Sequence, residues 1–124
     1  MKTPELESAT TVALRELSLQ GAQGDVAPLR TFTRMEWDRV FFFPEGTLRK
    51  EVMDAVGADV TGGAVGRLPQ PGPLLVFVKG QVVVEAVYAL PPLSLSSNGS
   101  VFSADKATIR VRTKPPPPHG LTLE

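Results

Sequence analysis

Apolar residues in this chain gather in runs more than they alternate with polar ones. The segments "LLVFVK" (74–79) and "VVVEAVY" (82–88) are almost continuously apolar. Runs of that kind belong to strands covered on both faces. Gly80 and Gln81 separate them, and glycine at the first position of a two-residue loop suits a type II′ turn. The pair therefore predicts a β-hairpin. "WDRVFFF" (37–43) is a third strand of the same character, rich in aromatics and closed by Pro44. The weak alternation of "TFTRME" (31–36) leads into it. Residues 107–113 differ: Ala107, Ile109 and Val111 alternate with Thr108, Arg110 and Arg112, the pattern of a strand with one wet face.

Helical spacing appears twice. Leu6, Ala9, Ala13 and Leu17, widened by Val12, predict a helix over residues 4–19, opened by Thr3-Pro4-Glu5 and ended at Gly21 and Gly24. Leu48, Val52, Ala55 and Val56 form a second stripe, with Thr47 as its cap and Gly57 where a left-handed C-terminal cap belongs. Between this helix and the hairpin, residues 58–73 hold four glycines and three prolines and predict a long, mobile loop. Prolines 115–118 forbid ladder and helix, so residues 114–124 read as an extended, solvated arm. Met1 reads as an added start, and Leu123 with Glu124 resembles a cloning remnant. The expected architecture is one α+β domain over residues 1–113. Two short helices pack on an antiparallel sheet of about four strands, in the order α-β-α-β-β-β.

Composition narrows the function classes. Thirteen basic and thirteen acidic side chains cancel, and without a polybasic run a nucleic-acid partner is disfavoured. The absence of cysteine removes disulfides, thiolate metal sites and thiol nucleophiles. No apolar run has the length of a membrane span. The one histidine, His119, follows the prolines and reads as an incidental solvated side chain, which leaves no Ser-His-Asp triad and no histidine metal site. No phosphate-binding loop is present, and Asp54 and Asp59 do not have calcium-loop spacing. No cofactor is implied. "KPPPPHG" has the form of a polyproline ligand, though a linker is the commoner use. Asn98-Gly99-Ser100 matches a glycosylation acceptor formally and carries no weight.

The strand motif WDxVxxF, starting at Trp37, and the hairpin motif LVFVKxxxVV, starting at Leu75, together resemble small bacterial secreted and lipoprotein-type domains. The resemblance covers roughly residues 31–113 and brings no catalytic residue. It implies an α+β fold and a periplasmic or cell-envelope location if a leader is removed upstream, and a cytoplasmic one otherwise.

Two functional readings stand. The first is a non-catalytic binding or structural module of the cell envelope. Along a regular strand Trp37, Arg39, Phe41 and Phe43 point one way, while Asp38, Val40 and Phe42 point the other. If both helices cover Val40 and Phe42, the first set forms an aromatic surface for a protein or apolar ligand. The plainer expectation, and the favoured one, is a central strand whose aromatics are core. The second reading is a small hydrolase with Asp38 or Glu45 as base, drawing on the carboxylate pairs Asp38 with Glu45, Glu36 with Asp38, or Glu51 with Asp54. Solvated carboxylates, with Asp38 accepting backbone N–H bonds near the strand start, are the plainer expectation here too. A second copy of the chain is a further candidate partner, through a sheet edge or the aromatic face.

Overall fold

The computed structural model describes residues 4–112 and 120–124. Thr3, the prolines 115–118 and His119 lie outside the described residues.

The apolar runs become the middle of a sheet. Strand β2 (Arg39–Phe43) pairs antiparallel with β3 (Leu74–Lys79), and β3 pairs antiparallel with β4 (Val82–Tyr88). Leu74, Leu75, Val76 and Phe77 have no exposed surface and Val78 almost none. Side chains alternate across a strand, so five consecutive buried residues demand cover on two sides. Leu75, Phe77, Val40 and Phe42 enter one apolar core; Leu74, Val76, Val78, Phe41 and Phe43 enter another.

Each core has its own cover. Among the described residues there are eight strands in two sheets of four, with orders β4-β3-β2-β6 and β1-β7-β8-β5. The second sheet, built from β1 (Val26–Pro28), β5 (Leu95–Ser97), β7 (Thr108–Val111) and β8 (Leu121–Leu123), supplies Leu95, Ile109, Val111, Leu121 and Leu123 to the first core. Helix α1 (Ala9–Gln20) adds Leu14 to it, and a 3₁₀ turn (Leu29–Phe32) adds Leu29. Helix α2 (Arg49–Val56) lies on the other face of the first sheet, with Val52 in the second core. The fold is α+β, as the sequence pattern predicts. The pattern does not announce the three-residue strands β1, β5, β6 (Val101–Ser103) and β8.

The helices are not on one face as the aromatic-surface reading required. Nor is 58–73 merely a mobile loop: Val60 and Leu68 are buried in the second core, and the backbone N–H of Leu68 donates to Thr47 O at 2.8 Å. The loop and α2 cover that core together.

Helix α1 starts later than expected. Ser8 is its cap: its hydroxyl accepts from Thr11 N at 3.4 Å, and the Thr11 hydroxyl accepts from Ser8 N at 2.9 Å. The residues before it serve β4, which would otherwise end the sheet as an open edge. Glu5 N donates to Ala86 O at 2.7 Å, and Tyr88 N donates to Glu5 O at 2.9 Å. The buried face of α1 is Thr10, Thr11, Leu14 and Ser18, while Leu6 and Val12 of the predicted stripe are exposed. The buried hydroxyls are satisfied, Ser18 within the helix by donating to Arg15 O at 2.7 Å and Thr10 across to β4 by donating to Glu85 Oε2 at 3.0 Å. Helix α2 also departs at its start: Thr47 does not cap it but donates to Pro44 O at 2.6 Å. Its end is as expected, with Gly57 left-handed at φ +83 and its N–H on Met53 O.

The expectation of a solvated arm over residues 114–124 fails where the structure describes it. β8 lies inside the second sheet, antiparallel to β7 and parallel to β5, and Leu121 and Leu123 are fully buried. The preceding strand ends at Val111, and the chain is again part of the sheet at Leu121. Leu123→Ala is expected to destabilise the protein by about 2–5 kcal/mol, read from the denaturant midpoint. An unchanged midpoint would show that the C-terminal residues are dispensable to the core.

Candidate functional site

The site begins where the opening strand departs from regularity. The first paired residue of β2 is Arg39, so Trp37 is not held to the strand's alternation. Its indole packs edge-on to Phe77, ring centroids 5.1 Å apart at 74°, and Nε1 donates to Thr33 Oγ1 at 3.0 Å. Trp37 therefore joins the first core, 6% exposed. Phe41 and Phe43 stack on each other in the second core, ring centroids 6.1 Å apart. Arg39 alone of the four predicted surface residues is exposed, its guanidinium carbon 5.4 Å from the Phe41 centroid. The structure does not bring Trp37, Arg39, Phe41 and Phe43 into one patch. The aromatics are core, split between two faces of the sheet.

Asp38 has a structural use. Its Oδ2 accepts from Gly80 N at 2.6 Å, while Arg39 Nη2 donates to Gly80 O at 3.3 Å. The two side chains thus hold both polar backbone groups of the hairpin's first turn residue. Gly80 has φ +61, the left-handed value that a type II′ turn requires there and glycine adopts without strain. The Asp38 backbone is used as well, its N–H on Val78 O at 2.7 Å and its carbonyl accepting from Ala104 N at 2.8 Å.

Beside this clamp lies a cleft of about 650 Å³, within the size range of small-ligand sites. Met35, Trp37 and Ala104 give it an apolar lining. Two ion pairs stand at it: Lys79 with Glu36, and Arg30 Nη1 with Asp105 Oδ1 at 3.4 Å. All four side chains are more than half exposed, so each pair contributes little to stability. The hydrogen bond and charge of Lys79 hold the Glu36 carboxyl below the usual range, and Glu36 raises the Lys79 ammonium in turn. Glu36 and Asp38 line the same cleft, but not through strand spacing, since β2 begins only at Arg39 and Trp37 between them lines it too. Arg30, Lys79 and Asp105 were not singled out in the sequence; they come from distant segments, and no spacing joins them.

The other carboxylates do not assemble. Asp38 and Glu45 sit before and after β2, about 20 Å apart at the rise of an extended chain. Asp54 pairs with Lys50 at 2.8 Å on the exposed side of α2, beside an exposed Glu51. Asp59 Oδ1 accepts from the backbone N–H of Thr61, Gly62 and Gly63 at 3.0, 3.1 and 3.2 Å, a local cap that organises its loop. Among the described residues no group of three His, Cys, Asp or Glu is placed to hold a metal ion, and no helix is long and apolar enough to cross a membrane.

Asp38→Ala is expected to cost about 1 kcal/mol, below the usual value for a charged acceptor because the group is solvated, and to speed hydrogen exchange at the Gly80 amide. Equal protection in both proteins would refute the clamp. At Asp59 the Thr61 N–H bond, followed by those of Gly63 and Gly62, holds the carboxyl below its ordinary value. A depressed folded value means that the ordering is fully present above the unfolded pKa and is lost as pH falls through the folded one. The Thr61 amide resonance should therefore titrate below the range of an unstructured aspartate, and an ordinary midpoint would contradict the cap. No family model, curated protein or solved structure matches this chain.

Proposed function

We propose that this chain is a non-catalytic binding module and that its ligand site is the cleft beside Trp37 and Asp38. The carrying observation is the pairing of a ligand-sized space with an apolar lining and a charged rim of both signs. Rim pairs that stabilise the fold weakly can exchange partners with a ligand at little cost. The chemistry that fits is a protein segment with an apolar side chain flanked by one acidic and one basic residue. The apolar group would sit toward Met35 and Ala104, the ligand's acid toward Lys79 or Arg30, its base toward Glu36 or Asp105.

The carboxylates of the cleft support binding over acid–base chemistry. A general base works best with a pKa raised toward the operating pH, whereas Lys79 holds Glu36 below the ordinary carboxylate range and Asp38 is occupied by the Gly80 N–H. The resemblance of the strand and hairpin motifs extends the proposal to a module of the cell envelope.

Capped peptides of acidic-leucine-basic type, with neutral peptides as controls, test the site by amide shift mapping and by emission of the single tryptophan. The charged peptides should shift residues of 30–38 and 103–105. Arg30→Glu with Lys79→Glu should weaken binding about tenfold or more, the effect of losing roughly 1.4 kcal/mol, without lowering the melting temperature appreciably. Shifts from neutral and charged peptides alike, no shifts at all, or unchanged affinity in the double variant would each reject the proposal.

A further inference from the structure

The turn between β5 and β6 holds the only asparagine of the chain, Asn98, followed by Gly99. Asn98 is exposed, and among the described residues its side chain makes no hydrogen bond. Glycine at 99 leaves the next backbone nitrogen unhindered. That N–H is not part of a strand ladder; its partner is the Ser97 hydroxyl at 3.2 Å. A Cβ there would come within 3.1 Å of Phe102 Cζ, so a larger residue would ask that ring to shift. The residue beside the single asparagine is thus the one that least obstructs attack on the asparagine side chain.

We propose that Asn98–Gly99 is a self-modification site, at which the folded chain cyclises spontaneously and ages to aspartate and isoaspartate. Solvent base removes the Gly99 amide proton, and the nitrogen attacks Asn98 Cγ. The N–Cγ bond forms, the Cγ–Nδ2 bond breaks, and ammonia leaves with a proton from solvent, giving a cyclic imide. Water then adds at one ring carbonyl. Breaking the new N–Cγ bond gives aspartate; breaking the original peptide bond gives isoaspartate, with the main chain rerouted through Cγ. The sum is amide plus water to acid plus ammonia, and no redox partner is needed.

The position makes the isoaspartate consequential. Asn98 N donates to Leu123 O at 3.1 Å, and Ser100 O accepts from Phe42 N at 2.9 Å. These bonds tie the turn to β8 of one sheet and β2 of the other. Isoaspartate inserts one methylene into the main chain between them, so β8 and β2 cannot both keep their bonds to the turn at the present spacing. Aspartate leaves the main chain as it is.

The test is incubation of the folded protein at mildly alkaline pH, followed by intact mass, peptide mapping and methyl transfer by an isoaspartyl methyltransferase as probe. The mass should rise by the amide-to-acid difference at Asn98, faster as pH rises, with a methyl-accepting product. The gain should be lost in Asn98→Gln, whose longer side chain closes the ring poorly. The isolated isoaspartate form should melt lower than wild type, and Asn98→Asp should melt as wild type. The proposal is overturned if the folded protein keeps its mass while the urea-unfolded chain gains it. A gain that persists in Asn98→Gln overturns it equally.

Discussion

The structure depends on the pairing of β2 with β3, two strands that are apolar on both sides. A sheet with one wet face needs one cover; this pair needs two. Phe42 opposite Leu75 and Phe41 opposite Val76 put large side chains on both faces at the same level of the sheet. Burying each such side chain contributes roughly 1.5–3 kcal/mol, so neither face can be left to solvent. The second sheet, α1 and the 3₁₀ turn close one side; α2 and the irregular 58–73 segment close the other. That division explains why a segment rich in glycine and proline is ordered at Val60 and Leu68. It has a core to cover, and Asp59 caps its bend at residues 61–63 from within.

The same pairing fixes the cleft. Asp38 stands where β2 begins and where the β3–β4 hairpin turns, and it bonds to Gly80 by its side chain and to Val78 and Ala104 by its backbone. One residue therefore joins the strand start, the hairpin end and the segment after β6. Those are the three pieces whose ends, with the 3₁₀ turn, surround the space beside Trp37. The cleft is a by-product of this junction.

Much of this was legible in the sequence, for reasons that particular residues make clear. The hairpin could be read because Gly80 marks its turn and its arms are long enough to show a pattern. The double cover of β2 could be read because Phe41, Phe42 and Phe43 do not alternate with polar residues. Trp37 was misplaced because alternation was extended two residues past the start of the strand, where the backbone no longer enforces it. The phase of α1 was misread because Thr11 and Ser18 satisfy their hydroxyls within the helix and Thr10 satisfies its own on Glu85 of β4, so all three can be buried while Leu6 and Val12 face out. β8 was hidden because three residues carry no periodicity and because its partners, β5 and β7, are set by tertiary packing. Arg30 and Asp105 meet for the same reason, and no local signal announces such a pair.

These differences separate two kinds of residue around the cleft. Trp37 and Asp38 are tied into the fold by the Phe77 contact, the Thr33 hydrogen bond and the Gly80 bond, so changing them disturbs the junction itself. Arg30, Glu36, Lys79 and Asp105 are exposed, and among the described residues their ion pairs are with one another. Exposed pairs are screened by salt and offset by side-chain entropy, which leaves their contribution to folding near zero. The rim charges can therefore be rearranged, in sign and in order, while the lining and its anchor stay in place. A site built this way has a fixed shape and a variable charge pattern, and its selectivity is set by residues on which the fold does not depend.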